Sequence, residues 1–264
     1  MKIGFIGTGH ITKSVINGIL KSKLKISKIV VSKRNIKISS SLKKKNKKIQ
    51  ISNNNQDIID KSDWIFLAVT PNVGKIILPN LEFKTGQTVI SFISTINMSE
   101  LKRYVKVKAK IVRAIPLPPI SIKKGPIPIF PPDRRVKKFF NELGTTIEIK
   151  NEKLSLNFWS TSSMMAPFYE LLQILSEWLV KKGINKNDAQ IYITSLFIAL
   201  SEDAKINSNK DLKILVKNSQ TPKGLNEQAV NELRNLRFYK SLKKTLDSVL
   251  SCLLYTSPSP RDTL

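Results

Sequence analysis

The first part of the chain alternates short apolar runs with segments in which apolar residues recur at helical spacing. The run "KIGFIG" ends at Gly7, and Ile11, Val15 and Ile19 then follow at intervals typical of a helix. Helical patterns also cover 55–61, 72–78 and 98–105. Further short β-branched runs, bounded by turn residues, are "SKIVVS", "DIIDKSDWIFLAV", "TGQTVISFIS" and "AKIVRAIP". This alternation predicts a parallel sheet with helices on both faces.

The pattern changes after residue 115. The stretch "PLPPISIKKGPIPIFPP" at 116–132 contains seven prolines, which predicts an extended connector and no helix. "TTIEIK" at 145–150 could add a final strand. From about residue 153 to 250 the pattern is helical, and Gly183 is a plausible stop for one of the helices.

These observations predict an α/β domain over 1–150 and an all-helical domain over 151–251. The helical segments carry more apolar faces than ~100 residues can bury alone, which favours a partner subunit. An ordinary helical core is the alternative interpretation.

The last thirteen residues, "CLLYTSPSPRDTL", differ from the rest in composition. They contain no Lys, Asn or Ile, although all three are abundant elsewhere, and they include two Ser-Pro steps. We expect residues 252–264 to be a disordered, non-native tail and the natural C-terminus after about residue 251 to be missing. No function is assigned to Cys252, Arg261 or Asp262.

The formal net charge of +26 is compatible with binding to nucleic acid or to an anionic membrane. Lysine is abundant everywhere, however, and its densest run, "SLKKKNKKIQ", has no interleaved aromatic residue for base stacking. We interpret this run as a solvated surface helix or loop, and we expect neither nucleic acid nor a membrane as a partner.

Few residues are available for metal binding or for nucleophilic catalysis. With one cysteine and one histidine, an internal disulfide and a Cys/His zinc site are excluded, and a histidine-based triad would depend on His10. The start of the chain does not resemble a signal peptide, and no apolar run is long enough to span a bilayer. A cytoplasmic protein is therefore expected.

The turn "GTGHIT" places Gly7, Gly9 and Thr12 in the three slots of the dinucleotide fingerprint. The first glycine permits the tight turn, the second lets the backbone approach a pyrophosphate, and the helix N-terminus presents free N–H groups. Thr12 is larger than the usual glycine or alanine, so helix and strand should pack slightly less closely. Because this turn lies between a strand and a helix, it predicts a Rossmann-type doubly wound domain. A glycine corner without a ligand is the alternative.

The cofactor contacts expected from this turn are Gly7, Thr8, Gly9, His10 and Ile11. His10 would line the pyrophosphate loop and donate a hydrogen bond. We expect no acid–base role for His10.

The end of the second strand indicates which dinucleotide is bound. An NAD site usually carries Asp or Glu there, but this chain has Ser32, Lys33 and Arg34 without a nearby acid. A hydroxyl group and two cations suit a ribose 2′-phosphate. NADPH is therefore the preferred cofactor, and NADH remains possible.

Across about residues 1–250 the chain resembles the pyrroline-5-carboxylate reductases, as a divergent member. Asn55 in "SNNNQDII" matches a family asparagine near the adenosine, "LAVTP" (67–71) resembles "LAVKP", and "VRAIPLPP" (112–119) resembles "VRAMPNTP". The resemblance implies further cofactor contacts from Asn55, Ala68, Val69, Thr70, Pro71 and Pro116.

Two stretches of the helical half also match the family in order. "SMMAPFY" (163–169) stands where the family has "SGSGPAY", and "TPKGLNE" (221–227) stands where it has "SPGGTTI". The second loop would cap a helix, and its amides and Asn226 could hold the substrate carboxylate. The substrate contacts implied by the resemblance are Ser163, Tyr169, Thr221, Gly224, Leu225 and Asn226.

The resemblance implies hydride transfer from NAD(P)H to the C=N carbon of a cyclic imine, most simply 1-pyrroline-5-carboxylate, to form proline. An iminium is already electrophilic, so positioning can supply much of the rate, and no catalytic residue is assigned. The family also implies a homodimer or higher homo-oligomer whose helical halves interlock, with the substrate held between the cofactor domain and the helical pair.

Several residues depart from the family pattern, mostly on the substrate side. The asparagine after Met-Pro is Leu117, and the two glycines of "SGSG" are Met164 and Ala166. Thr70 replaces a lysine, and the "PGGTT" loop carries Lys223, Leu225 and Asn226. These changes leave open a different imine or keto-acid substrate, or a dinucleotide-binding homologue with a non-catalytic, regulatory role.

Overall fold

The computed structural model describes residues 1–256, and the chain divides into a sheet unit, residues 1–159 with which residues 252–256 are grouped, and a helical unit, residues 160–251. The sheet unit is built on eight strands in the order β3-β2-β1-β4-β5-β6-β7-β8. Their bounds are β1 Lys2–Ile6, β2 Lys28–Ser32, β3 Ile49–Ser52, β4 Trp64–Leu67, β5 Thr88–Ser91, β6 Lys110–Ala114, β7 Pro126–Phe130 and β8 Thr145–Glu148.

Helices cover both faces of this sheet, as the sequence pattern predicts. They are α1 His10–Leu20, α2 Ile36–Lys45, α3 Asn55–Asp60, α4 Pro71–Ile77, α5 Met98–Val105 and α6 Arg134–Asn141. On one face, Phe5 stacks on Phe66 with ring centroids 4.6 Å apart, and on the other Ile65 and Leu101 are fully buried. The doubly wound architecture is therefore confirmed.

All strand pairs are parallel except β6 with β7, which run antiparallel. A 3-10 helix at Pro118–Ile122 lies within the proline-rich stretch, so the prediction of no helix is wrong for these residues. Strand β7 is extended, as predicted, but it is a member of the sheet and not only a connector. Prolines are tolerated at the first positions of a helix, where their missing N–H has no partner in any case.

The prolines of β7 are tolerated because they occupy alternate positions. The carbonyl of Pro128 accepts from the Ile115 amide of the β6 side at 3.0 Å, whereas the carbonyl of Ile129 accepts from the Ile149 amide of the β8 side at 2.8 Å. Pro126 and Pro128 therefore face the same neighbouring strand, and Ile127 and Ile129 keep their amides for the other.

A buried ion pair anchors the segment that follows the sheet. Arg113 Nη1 lies 2.6 Å from Glu152 Oε1, which also accepts from the Met98 amide at 2.7 Å, and Arg113 Nη2 donates to the Ser94 carbonyl at 2.5 Å. Burial lowers the pKa of Arg113, and the Glu152 carboxylate opposes that change. These contacts fix the 3-10 helix Glu152–Leu154 to the ends of β5 and β6.

Helix α7, Ser155–Ser162, crosses the boundary between the units, which lies nine residues after the predicted boundary at residue 150. The helical unit continues with α8 Met165–Lys181, α9 Lys186–Ile206, α10 Leu212–Asn218, α11 Leu225–Asn235 and α12 Phe238–Thr256. Gly183, with φ +95°, follows α8 as predicted. Among the described residues of this unit, Ala189 and Ile193 are the only buried apolar ones.

Helix α12 continues to Thr256, so the prediction of a disordered tail from residue 252 is wrong for residues 252–256, and its remainder lies outside the described residues. An apolar run that continues the helical pattern through "CLLY" accounts for this difference. Within residues 1–256, none of the helices combines the length and the apolar character that crossing a bilayer requires.

Candidate functional site

The carboxyl ends of β1, β2 and β4 meet at the point where the strand order reverses, which is where doubly wound sheets bind ligands. Two adjoining cavities of about 400 and 490 Å³ lie there. Both are lined by Gly7, Arg34, Ile36 and Val69, so they form one continuous depression, which we call the carboxyl-edge groove.

The two glycines of the turn have different surroundings. Gly7 has φ +98°, and a Cβ added there would lie 2.3 Å from the Ala68 carbonyl oxygen, so only glycine fits. Gly9 has φ −95°, and a Cβ added there would meet no described atom within 4 Å. The space beside Gly9 is therefore open to a ligand that approaches the backbone closely, as a diphosphate does.

Three hydroxyl groups hold this turn. The Gly7 amide donates to Ser32 Oγ at 3.1 Å, and Thr8 Oγ1 donates to the Ser32 carbonyl at 2.7 Å. Thr12, which is completely buried, donates from Oγ1 to the Gly7 carbonyl at 2.7 Å. The turn is thus bound both to the end of β2 and to the first turn of α1.

Helix α1 begins after the N-cap Gly9, and within the described chain no side chain caps it and no acidic residue occupies its first turn. The first N–H groups of a helix have no partner inside the helix. Together with the helix dipole, they make this end of α1 favourable for an anion.

The groove is also positively charged. Lys33, Arg34 and Lys37 line it, and none of its described lining residues is an aspartate or a glutamate. Asn53 and Asn55 lie on the same side and add neutral hydrogen-bonding groups. This set of donors suits a phosphorylated ligand and fits the ribose 2′-phosphate expected from the sequence.

The groove brings together most of the residues predicted to contact a cofactor. Those that line it are Gly7, Thr8, Gly9, Ser32, Lys33, Arg34, Asn55, Ala68, Val69 and Thr70. Four others lie outside its lining: exposed His10 and half-buried Ile11 open α1, Pro71 opens α4, and Pro116 is buried beyond β6.

Several lining residues were missed by sequence reasoning. They are Ile6, Asn35, Ile36, Lys37, Asn53, Val73 and Ile77. Asn53 follows β3 directly, so recognition of that strand would have placed it at this edge. Asn35 is the N-cap of α2 and accepts from the Ile38 amide at 3.1 Å, a role that its position before a helical pattern could have indicated.

The residues predicted to contact a substrate lie in the helical unit. Ser163 follows α7 and donates from Oγ to the Ser160 carbonyl at 2.6 Å. Tyr169 lies on α8 and is 54% exposed, beside a cavity of about 770 Å³ between α8 and α9.

The loop 221–226 caps α11, as predicted, with Gly224 as the N-cap. Gly224 donates to the Thr221 carbonyl at 2.8 Å, and Asn226 Nδ2 donates to the Ser219 carbonyl at 2.8 Å. Leu225 is 84% exposed. The amide of Gly224 and one N–H of the Asn226 side chain therefore serve the loop itself.

Two protein families match separate parts of the chain. The family described as "NADP oxidoreductase coenzyme F420-dependent" matches residues 2–95, which carry the carboxyl-edge groove. The family described as "Pyrroline-5-carboxylate reductase dimerisation" matches residues 154–251, which correspond closely to the helical unit.

One curated relative and two solved structures are similar to this chain over nearly its whole length. A pyrroline-5-carboxylate reductase of Haemophilus influenzae is 21% identical over 261 residues, covering 94% of this chain and 95% of its own length. The structure of 1-pyrroline-5-carboxylate reductase from Streptococcus pyogenes is similar at a TM-score of 0.81, with 22% identity and coverage of 96% and 98%. The Plasmodium falciparum pyrroline carboxylate reductase, solved with NADP bound, has a TM-score of 0.81, 21% identity and coverage of 96% and 97%.

Proposed function

We propose that this chain is a member of the pyrroline-5-carboxylate reductase family and an NADPH-dependent reductase that converts 1-pyrroline-5-carboxylate to proline. The observation that carries the proposal is the carboxyl-edge groove, where open space beside Gly9 adjoins a helix N-terminus without a side-chain cap and three cations. The family matches on both units support it.

Different residues of the groove would bind different parts of the cofactor. The turn at Gly7, Thr8 and Gly9 and the first amides of α1 would hold the diphosphate. Lys33 and Arg34 would bind the 2′-phosphate, and NADH would bind more weakly because it lacks that group. Ala68, Val69 and Thr70, which follow β4, would line the path toward the nicotinamide.

The chemistry makes few demands on side chains. When bound, the reduced nicotinamide would supply a hydride to the C=N carbon of the protonated imine, whose nitrogen already carries the proton that the product amine keeps. The protein has to hold the ring in place and exclude competing reactions, so the reaction does not require a catalytic His or Cys. Exposed His10, the sole histidine, receives no role in proton transfer.

The substrate carboxylate would bind at the N-terminus of α11. The amide of Lys223 already donates to Glu227 Oε2 at 2.7 Å, and that of Gly224 is used within the loop. The first amides of the helix itself, at Leu225 and Asn226, are then the donors best placed for an anion. This assignment keeps the predicted loop and its backbone amides, and it gives no role to the Asn226 side chain, one N–H of which is used within the loop.

The helical unit would cover its exposed apolar faces by pairing with a second copy of the chain. Its described residues bury only two apolar side chains, while Trp178 on α8 and Ile198 on α9 are each more than half exposed. A homodimer, or a higher homo-oligomer built from it, would cover these faces.

A second candidate keeps the cofactor and changes the substrate. Leu117, Met164 and Ala166 replace the asparagine and the two glycines of the family pattern, and they leave less polar and less open surroundings. The reduced and less polar space favours a different substrate, such as a smaller or less polar cyclic imine, or a keto acid.

The test is a substrate panel with both cofactors. The purified protein is mixed with NADPH or NADH and with 1-pyrroline-5-carboxylate, other cyclic imines or keto acids, and oxidation of the nicotinamide is compared with product formed. Proline formed in equal amount to NADPH oxidised supports the proposal. Turnover with another imine or keto acid supports the second candidate, and cofactor binding without turnover on any member contradicts both.

A further inference from the structure

Side-chain hydroxyl groups bind the backbone of the turn between β1 and α1, where the dinucleotide fingerprint ordinarily has only glycine or alanine. Thr12 occupies the third slot of the fingerprint, and its hydroxyl donates to the Gly7 carbonyl at 2.7 Å. Ser32 Oγ accepts from the Gly7 amide at 3.1 Å. Both polar groups of Gly7 are therefore held by side chains from different elements.

The contact from Thr12 determines the direction of the next amide. In a trans peptide the C=O and the following N–H point in opposite directions. Because Thr12 holds the Gly7 carbonyl, the Thr8 N–H is turned away from that hydroxyl. Thr8 is 3% exposed and lines the carboxyl-edge groove, and no acceptor within residues 1–256 takes its amide hydrogen.

An N–H at the groove that has no acceptor within the described residues gains a strong hydrogen bond when an anion binds beside it. We propose that Thr12 and Ser32 are positioning residues that hold the Thr8 amide ready for the diphosphate of the bound dinucleotide. The inference rests on the proposed function, because it requires a dinucleotide in this groove.

Ser32 also links the turn to the groove's cations. Thr8 Oγ1 gives its proton to the Ser32 carbonyl at 2.7 Å, so in the 3.0 Å pair with Ser32 Oγ the serine hydroxyl is the donor. Lys33, the next residue, donates from its amide to the Ser52 carbonyl at 2.9 Å. The strand end that presents Lys33 and Arg34 is thereby fixed to the glycine turn on one side and to β3 on the other.

Thr12 and Ser32 would therefore act on binding of the diphosphate, whereas Lys33 and Arg34 would act on binding of the 2′-phosphate. Loss of the Thr12 hydroxyl should weaken every ligand that has a diphosphate, with or without a 2′-phosphate. It should leave unchanged a ligand that has a 2′-phosphate but no diphosphate. A general loosening of the groove would weaken all of these ligands together.

The experiment is calorimetric titration of the full chain with NADPH, NADH and adenosine 2′-monophosphate. For Thr12→Val we expect Kd to rise about 5-fold for NADPH and for NADH, as the loss of one hydrogen bond predicts, and to stay within about 2-fold for adenosine 2′-monophosphate. Thr12→Ser, which keeps the hydroxyl group, should restore the affinity. Ser32→Ala should raise Kd for NADPH and NADH by at least as much, since Ser32 also fixes the strand end that presents Lys33 and Arg34.

Thr88→Val, at a buried threonine that begins β5, controls for the general effect of this substitution in the sheet unit. Unchanged dinucleotide affinity in Thr12→Val, or an equal loss for adenosine 2′-monophosphate, would overturn the inference while leaving the proposed function in place. Failure of the wild-type chain to bind either dinucleotide would instead remove the proposed function and this inference with it.

Discussion

The two units of this chain differ in how many of their apolar residues are buried. In the sheet unit, strands and helices enclose two apolar clusters, and large side chains such as Phe5, Phe66 and Phe140 are fully buried. In the helical unit, Ala189 and Ile193 are the only buried apolar residues among those described, although α8, α9 and α12 are rich in apolar positions. A helix that is apolar on several sides needs other helices around it.

This difference indicates how cofactor binding and turnover are distributed between the two units. The carboxyl-edge groove is lined entirely by residues of the sheet unit, so the proposed cofactor site is complete within one enclosed core. The helical unit contributes the loop before α11 and large uncovered faces. We infer that cofactor binding belongs to the single chain, whereas turnover depends on association.

The largest expected effect is on association. Ile198, in the middle of α9, is 60% exposed, and Ile76, on α4 of the sheet unit, is 69% exposed. If a second copy covers α9, Ile198→Lys places an unpaired charge in the interface and should weaken dimerisation by about 1,000-fold or more. Ile76→Lys should leave it unchanged. Sedimentation analysis of both variants gives the answer, and an Ile198→Lys protein that stays dimeric at micromolar concentration would contradict the comparison.

The next effect separates stability from binding within the glycine turn. Gly7→Ala forces a Cβ against the Ala68 carbonyl at a positive φ and should cost about 3 kcal/mol of stability or more. Gly9→Ala adds a methyl group in open space, so it should cost no more than about 1 kcal/mol. Thermal unfolding of the two variants is the measurement.

Despite its smaller cost in stability, Gly9→Ala should weaken NADPH binding about 10-fold, because the methyl group occupies the space of the diphosphate. Titration of this variant with NADPH tests the expectation. Wild-type affinity in Gly9→Ala would show that no ligand approaches the backbone at that residue.

The third effect concerns the charge of the groove. Arg34→Glu replaces a cation with a carboxylate beside the proposed 2′-phosphate site, so Kd for NADPH should rise about 50-fold, while Kd for NADH stays within about 3-fold. Lys102→Glu makes the same change of charge on α5, away from the groove, and should affect neither cofactor. Equal losses for NADPH and NADH would remove the assignment of Arg34.

The smallest effect compares two helix caps. Asp133 caps α6, which buries Val136, Phe139 and Phe140, whereas Asp211 caps α10, which has no buried residue among those described. Asp133→Ala should destabilise α6 by about 1 kcal/mol, and Asp211→Ala should have less effect on α10. Hydrogen exchange of the two helices measures the difference, and equal losses would contradict it.

The contribution of Asp133 should also depend on pH. Burial raises the pKa of Asp133, but hydrogen bonds from the Val136 amide and from Lys110 outweigh it, so the pKa lies below its ordinary value. A depressed pKa in the folded state means that the stabilisation is present above the unfolded pKa of about 3.9 and is lost as the pH falls through the folded value. The difference between wild type and Asp133→Ala should therefore shrink in acid.

The sequence predicted the elements that contain a continuous β-branched run or a long segment with apolar residues at helical spacing. Strands β1, β2, β4, β5 and β6 and helices α1, α5 and α8 were found in this way, because each buries a whole run or a whole stripe. Strand β3 was missed because "IQIS" follows a lysine-rich helix and alternates apolar with polar residues, so it forms no continuous apolar run. Helix α6 was missed because it follows the prolines closely and has four cations among its eight residues.

Predictions that rest on a residue type alone do not account for the position of the residue within its strand or turn. The proline-rich stretch is predicted to be an extended connector, but a spacing of two residues turns both prolines of β7 toward the same neighbour, so this segment joins the sheet. Ser32 was expected to face a phosphate, and it lines the groove, but its hydroxyl is engaged by Gly7 and Thr8. Which hydroxyl bonds to which backbone group depends on packing between elements, and a single sequence does not record it.

The most direct test of the account measures NADPH affinity and imine turnover separately in the Ile198→Lys protein. The account predicts a monomer that binds NADPH with an affinity within about 2-fold of wild type but has lost nearly all reduction of 1-pyrroline-5-carboxylate, because only the helical unit needs the second copy. Loss of NADPH binding together with turnover, or full turnover by a monomer, would contradict the division of function between the two units.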